Sequence, residues 1–174
     1  TDSPGLRLKP KAAHLAVGHL RLGVEVYGGP ILATFADRDL SLAGRVSVKG
    51  PSGIETRLVR FGQPLLRLPN LAIHMNRQVN EDGLKFNRQT ELGLLMGRSE
   101  VLTMPTDALG RRLAVEAGCE PADLLGFELN VYDTQVGAFW GQMGSSSLPA
   151  ALTTCRPAML ACVRCWRRNP VVIR

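Results

Sequence analysis

Leu20-Arg21-Leu22-Gly23-Val24-Glu25-Val26-Tyr27 decides how this chain is read. Apolar residues alternate with polar or small ones, the period-two pattern of a strand in a sheet with one covered face, and Gly28-Gly29-Pro30 ends it. Working outward, Leu6 to Val48 reads as several strands. Arg45-Val46-Ser47-Val48-Lys49 alternates again, Gly50-Pro51-Ser52-Gly53 turns, and Ile54 to Phe61 returns as a partner strand. The expected fold class is therefore α+β and rich in β, beginning as a meander.

Further along, Pro64 and Pro69 flank a short strand, placing it at an edge or limiting its ends. Leu71-Ala72-Ile73-His74 reads as another apolar strand-like run, delivering an imidazole with Asn76 and Arg77 just beyond it. Taken by itself, that histidine is a strand residue that finds a hydrogen bond. Residues 76–98 are polar with scattered glycine and read as one long ordered loop. Thr106-Asp107 can cap a helix running to about Ala117, with Leu109, Leu113 and Val115 or Glu116 near helical spacing and Gly118 as its stop. A second short helix can begin at Pro121, and Phe127 to Tyr132 alternates as a strand.

The 174 residues suffice for one ordinary domain, and 45% hydrophobic content can fill its core. No run of about eighteen uncharged apolar residues occurs, so no membrane-spanning helix is expected. The net charge of +6 would suggest a nucleic-acid partner, but its location argues otherwise. Residues 142–174 hold five arginines and no acidic residue, and without them 16 basic residues face 15 acidic ones. Neither nucleic acid nor membrane is expected as a partner. Cys119 is the one cysteine before residue 142, which fits a reducing, cytoplasmic setting.

Three blocks, in order, carry a more specific signal: Thr1-Asp2-Ser3-Pro4-Gly5-Leu6-Arg7-Leu8-Lys9-Pro10, Asp37-Arg38-Asp39-Leu40-Ser41-Leu42-Ala43-Gly44-Arg45 and Pro69-Asn70-Leu71-Ala72-Ile73-His74. Tyr27-Gly28-Gly29 precedes the second block, and Tyr132-Asp133-Thr134-Gln135 is a fourth match. Over residues 1–141 the chain resembles the aspartyl aminopeptidases, zinc metallopeptidase family 18. The resemblance implies a fragment of a two-domain enzyme that releases N-terminal Asp or Glu from peptides, using two zinc ions, and forms homo-oligomers. It implies that residues 1–10 end a first catalytic-domain segment, 11–125 form a β-rich dimerisation domain inserted into the α/β catalytic domain, and 126–141 re-enter the catalytic domain. Strands at those two ends would then lack their parallel neighbours. The fragment is expected to be inactive alone; the alternative function is a non-catalytic oligomerisation module.

Two site residues follow from the resemblance. In the family a metal-binding His stands two positions before an Asp; here Thr1-Asp2 is present and that His falls before the chain's first residue. Asp2 matches the catalytic-site aspartate that orients the ligand, a role that sharpens its geometry and basicity. At a frayed terminus without its histidine it reads as an exposed carboxylate. His74 matches the histidine of the insert domain. It is the substrate-binding candidate, reaching a neighbouring subunit's site to polarise the scissile carbonyl or its oxyanion, with a zinc-ligand role as the alternative. Asp37, Arg38 and Asp39 read as a structural ion-pair or turn cluster, with alternation setting Arg38 opposite the two carboxylates. The basic group for an acidic substrate is left open among Arg77, Lys85 and Arg88. Thr34-Phe35-Ala36 departs from the family's pattern, which touches local packing. His14 and His19 have no match and read as surface or strand-edge residues.

After Gly141 the resemblance stops. Plausible codons for Leu152 to Cys165, read from the third base, can spell Leu-Asp-Asn-Leu, the family's next metal motif. Residues 142–174 are therefore read as a frameshifted tail, which accounts for their arginines and for Cys155, Cys162 and Cys165. As a zinc cluster, one Cys-x-x-Cys and a third sulfur upstream make a weak pattern. An independent nucleotide read across residues 141–144 is expected to show the shift; an intact frame through the tail would contradict it.

Overall fold

In β2 (His19–Tyr27) Leu20, Leu22 and Val24 point into the core, as the alternation requires. The structure, a computed structural model, describes residues 4–98, 105–140 and 146–148. β1 (Gly5–Ala16) pairs antiparallel with β2, and four residues of β1, Lys9 to Ala12, face Gly23 alone between the pairs Leu8↔Val24 and Ala13↔Leu22. Pro10, which cannot donate to a ladder, lies in that bulge. The hairpin closes through Val17 and Gly18, both at positive φ, the geometry that matches strand twist.

β3 (Leu40–Gly50) and β4 (Gly53–Arg60) form the hairpin expected around Pro51-Ser52, closing at Gly50↔Gly53. β5 (Leu94–Arg98) pairs with β2, and β6 (Leu124–Asp133) lies between β3 and β1. The resulting sheet has the order β4-β3-β6-β1-β2-β5, antiparallel at every pairing. A separate two-stranded pair joins β7 (Ala138–Trp140) to β8 (Ser146–Leu148).

Several expectations change. Strand β6 is not short of neighbours, because antiparallel partners on both sides come from this chain itself. The long loop expected over 76–98 holds one helical turn, α1 (Val79–Asp82), and ends in β5, whose Leu94 is fully buried. Leu71 to His74 is no strand: Met75 N–H donates to Ala72 C=O at 2.8 Å and Asn76 N–H to Ile73 C=O at 3.2 Å, folding the run into turns. Leu71, Ile73 and Met75 are all exposed, so no core exists to hold that run extended.

Helix α2 (Pro105–Ala117) starts with proline, whose fixed φ and missing N–H suit a first helical position, so Thr106 and Asp107 fall inside its first turn. Its buried face is Leu109, Leu113, Ala114 and Ala117. Val115 is 82% exposed and Glu116 is exposed, because steps of four residues keep one face and a step of two from Leu113 crosses to the other. Gly118 (φ 65°) ends the helix: its N–H reaches Val115 C=O and Cys119 N–H reaches Ala114 C=O at 3.0 Å. Arg57 on β4 donates to the carbonyls of Ala117 and Gly118, placing a cation where the helix dipole is negative. A single 3-10 turn, Pro121–Asp123, leads into β6.

The helix covers one face of the sheet, and the core gathers Leu6, Leu22, Val24, Leu42, Val46, Val48, Leu113 and Leu129. Phe35, the middle residue of the stretch that departs from the family's pattern, is buried in the same core. Among the described residues no helix is long and apolar enough to cross a membrane. Between β3 and β6 the backbones come so close that a Cβ on Gly44 would lie 2.1 Å from Glu128 C=O and 2.9 Å from Leu129 Cα. Neither neighbour is a flexible side-chain end. Gly44→Ala is expected to cost about 2–4 kcal/mol, at or above the usual cost of overpacking, read as a lower urea midpoint; an unchanged midpoint would show that the two strands can part at no cost.

Candidate functional site

Two of the sequence blocks meet at one corner of the sheet. Arg38 Nη1 donates to Gln135 Oε1 at 2.6 Å and lies 3.3 Å from Asp133 Oδ2. Asp133 Oδ1 accepts the Gln135 N–H at 2.9 Å, while Thr134 N–H and Oγ1 both donate to Asp39 C=O, at 2.9 and 2.7 Å. Beneath them Ser41, fully buried, has its hydroxyl 3.0 Å from Phe61 C=O and 2.8 Å from Gln63 C=O, and the Tyr132 hydroxyl also donates to Phe61 C=O. A buried hydroxyl without partners would cost stability, and here both are satisfied. The Asp-Arg-Asp triplet thus serves as a turn and ion-pair cluster, in a turn that precedes β3 and not in a strand.

A third block is fastened to the same corner. Leu66 to Leu68, the short segment between the two prolines, bridges Leu40 and Ala36 on one side and Leu95 of β5 on the other. Leu66 and Leu68 are buried. Arg67 N–H donates to Leu95 C=O at 2.9 Å, and Arg67 C=O accepts the Leu95 N–H at 2.8 Å. Its guanidinium reaches Asp37 C=O at 3.0 Å and stands 3.6 Å from Asp39 Oδ1. From this root the chain leaves the sheet through Pro69 and Asn70 into the exposed turns that carry His74.

His74 is exposed, and among the described residues its ring makes no hydrogen bond. Leu71, Ile73 and Met75 surround it in sequence at 59%, 51% and 67% exposure. Arg77, Lys85 and Arg88 are exposed as well. Asp2 lies outside the described residues. His14 is exposed on β1 with its Nδ1 3.2 Å from Ala12 C=O, and His19 is half-buried with Nδ1 2.8 Å from Val17 C=O, both local contacts at a hairpin end.

Comparison with known proteins identifies the class. A family model described as "Aminopeptidase I zinc metalloprotease (M18)" matches residues 1–147, six residues past the point where the resemblance was expected to stop. The chain belongs to the M18 family of zinc aminopeptidases. It is similar to the probable M18 family aminopeptidase 2 of Ectopseudomonas mendocina (strain ymp), 44% identical over 144 residues, covering 81% of this chain and 33% of that protein. The corresponding protein of Stutzerimonas stutzeri (strain A1501) is 45% identical over 150 residues, covering 83% and 34%. The chain therefore spans about a third of the length of these relatives.

Among solved structures, the cryo-EM structure of the Ape4 and Nbr1 complex contains a chain similar at TM-score 0.76 and 38% identity, over 83% of this chain and 30% of that one. The S. cerevisiae mApe1 dodecamer is similar at TM-score 0.61 and 26% identity, over 82% and 32%. Zinc in this family calls for converging imidazoles and carboxylates. Among the described residues no three of His, Cys, Asp and Glu come together to hold a metal.

Proposed function

We propose that this chain is the subunit-associating part of an M18 aminopeptidase that removes N-terminal Asp or Glu from peptides, and that His74 acts on substrate bound to a neighbouring copy. The observation that carries this reading is the placement of His74: an exposed imidazole on a turn among Leu71, Ile73 and Met75, on a segment whose root is fastened to the sheet. Apolar side chains exposed together gain by being covered. The dodecamer formed by the similar yeast protein supports a second copy as the cover. The associating lobe, expected over residues 11–125, shares its sheet with β1 and β6, which favours treating the whole sheet with α2 as one unit.

In that setting the His74 ring N–H donates to the carbonyl oxygen of the bond to be broken. Such a donor contributes most when it strengthens as negative charge develops on the oxygen, in a place closed to water. The two zinc ions, whose ligands lie beyond the described residues, would supply the activated water when bound. The chain alone supplies the donor and the association surface, which makes it inactive as it stands. The purified chain is expected to hold no stoichiometric zinc and to release no Asp from a short acidic peptide; stoichiometric zinc with turnover would contradict this reading.

A further inference from the structure

A side chain that works on a substrate has to be held to within a fraction of an ångström, yet Leu71 to Met75 are all exposed and contribute nothing to the buried core. Their position is set at the root of the loop, and one residue there makes three contacts. The Asp37 backbone N–H donates to Leu68 C=O at 2.8 Å. Its carbonyl accepts from Arg67 Nη2 at 3.0 Å, and its carboxylate Oδ1 accepts the Asn70 N–H at 3.1 Å. Asn70 relays the hold, because its own Oδ1 accepts the Leu71 N–H at 2.8 Å, one residue before the turn that begins at Ala72.

Asp37 adopts φ 53°, the left-handed region that few residues other than glycine enter and that Asp tolerates. That conformation turns its carboxylate toward Asn70 while its backbone stays bonded to Leu68. The residue is itself held: Phe35, two positions before it, is buried in the core, and Asp39, two positions after it, is tied to Thr134. The exposed Arg67–Asp39 ion pair at 3.6 Å contributes little by comparison.

We propose that Asp37 is the positioning residue for His74, its carboxylate setting the direction in which the loop 70–75 leaves the sheet. This rests on the reading of His74 given above. A residue that merely shaped a turn would matter for folding and leave turnover alone. Two variants separate these roles. Asp37→Gly keeps the left-handed backbone accessible and removes the carboxylate; Asp37→Asn keeps an oxygen acceptor toward Asn70.

Hydrogen exchange on the 174-residue chain is the first arm. Asp37→Gly is expected to speed exchange of the Asn70 and Leu71 amides by about tenfold or more, with the β3 and β6 amides unchanged, as in a local opening. Asp37→Asn should stay near the parent chain. The second arm uses a full-length M18 aminopeptidase built with this segment in place. There Asp37→Gly is expected to lower kcat about tenfold or more with little change in KM, the signature of a displaced group, and Asp37→Asn to restore most of it. His74→Ala in the same background isolates the underlying reading. If it leaves kcat unchanged, the role of His74 falls and the positioning role with it. If His74→Ala lowers kcat while Asp37→Gly does not, with or without faster exchange, the positioning role alone is overturned.

Discussion

The ladder between β3 and β6 is the constraint from which the rest of this structure follows. It joins residues 40–48 to residues 124–133, so the sheet closes only when two segments far apart in the sequence meet. Gly44 makes that meeting possible, because the Glu128 carbonyl occupies the space any side chain there would need. On one face of the ladder Leu42, Val46, Leu129 and Val131 enter the core under α2. On the other, Glu128 holds Arg7 at 3.0 Å and Arg45 through a closer contact, tying β1, β6 and β3 together. Pairings this distant in sequence carry a loop-closure cost and form slowly.

The corner where the ladder begins is also where the family's sequence blocks gather. Arg38 and Asp39 grip Asp133 to Gln135, Ser41 and Tyr132 both donate to Phe61, and Asp37 grips the segment that leads to His74. Most of these groups are partly exposed, and their individual ion pairs are worth little. Their value is geometric. They convert a well-packed sheet into a fixed platform for an exposed loop, the usual way a rigid scaffold presents a working residue.

Much of this was legible in the residues. Alternation marked β2, β3 and β6 because each has one covered face, the turn at Gly50 to Gly53 marked β4 as the returning strand, and Gly118 marked the end of α2 because a left-handed residue is needed there. What escaped detection had weaker local signals. Leu94 to Arg98 sits behind a polar stretch, so β5 was hidden inside a supposed loop. Leu71 to Met75 is apolar enough to read as a buried strand, yet burial depends on what packs above it, which no local pattern records. The antiparallel neighbours of β6 were missed for a related reason: pairing over such a distance is a property of the folded chain. Within the site, His74 was found by its motif, while the hold of Asp37 on Asn70 depends on a backbone conformation that side-chain alternation had placed differently.

Mixed oligomers test most directly whether the imidazole serves a neighbouring copy. Subunits of a full-length M18 aminopeptidase carrying this segment with His74→Ala would be co-assembled with subunits that retain His74 and lack their zinc ligands. Each alone is expected to be inactive or nearly so. Recovery of peptide cleavage in the mixture is the expected result, since one subunit then lends its imidazole to the other's intact site. A mixture as silent as either parent, with assembly verified, would contradict action between subunits.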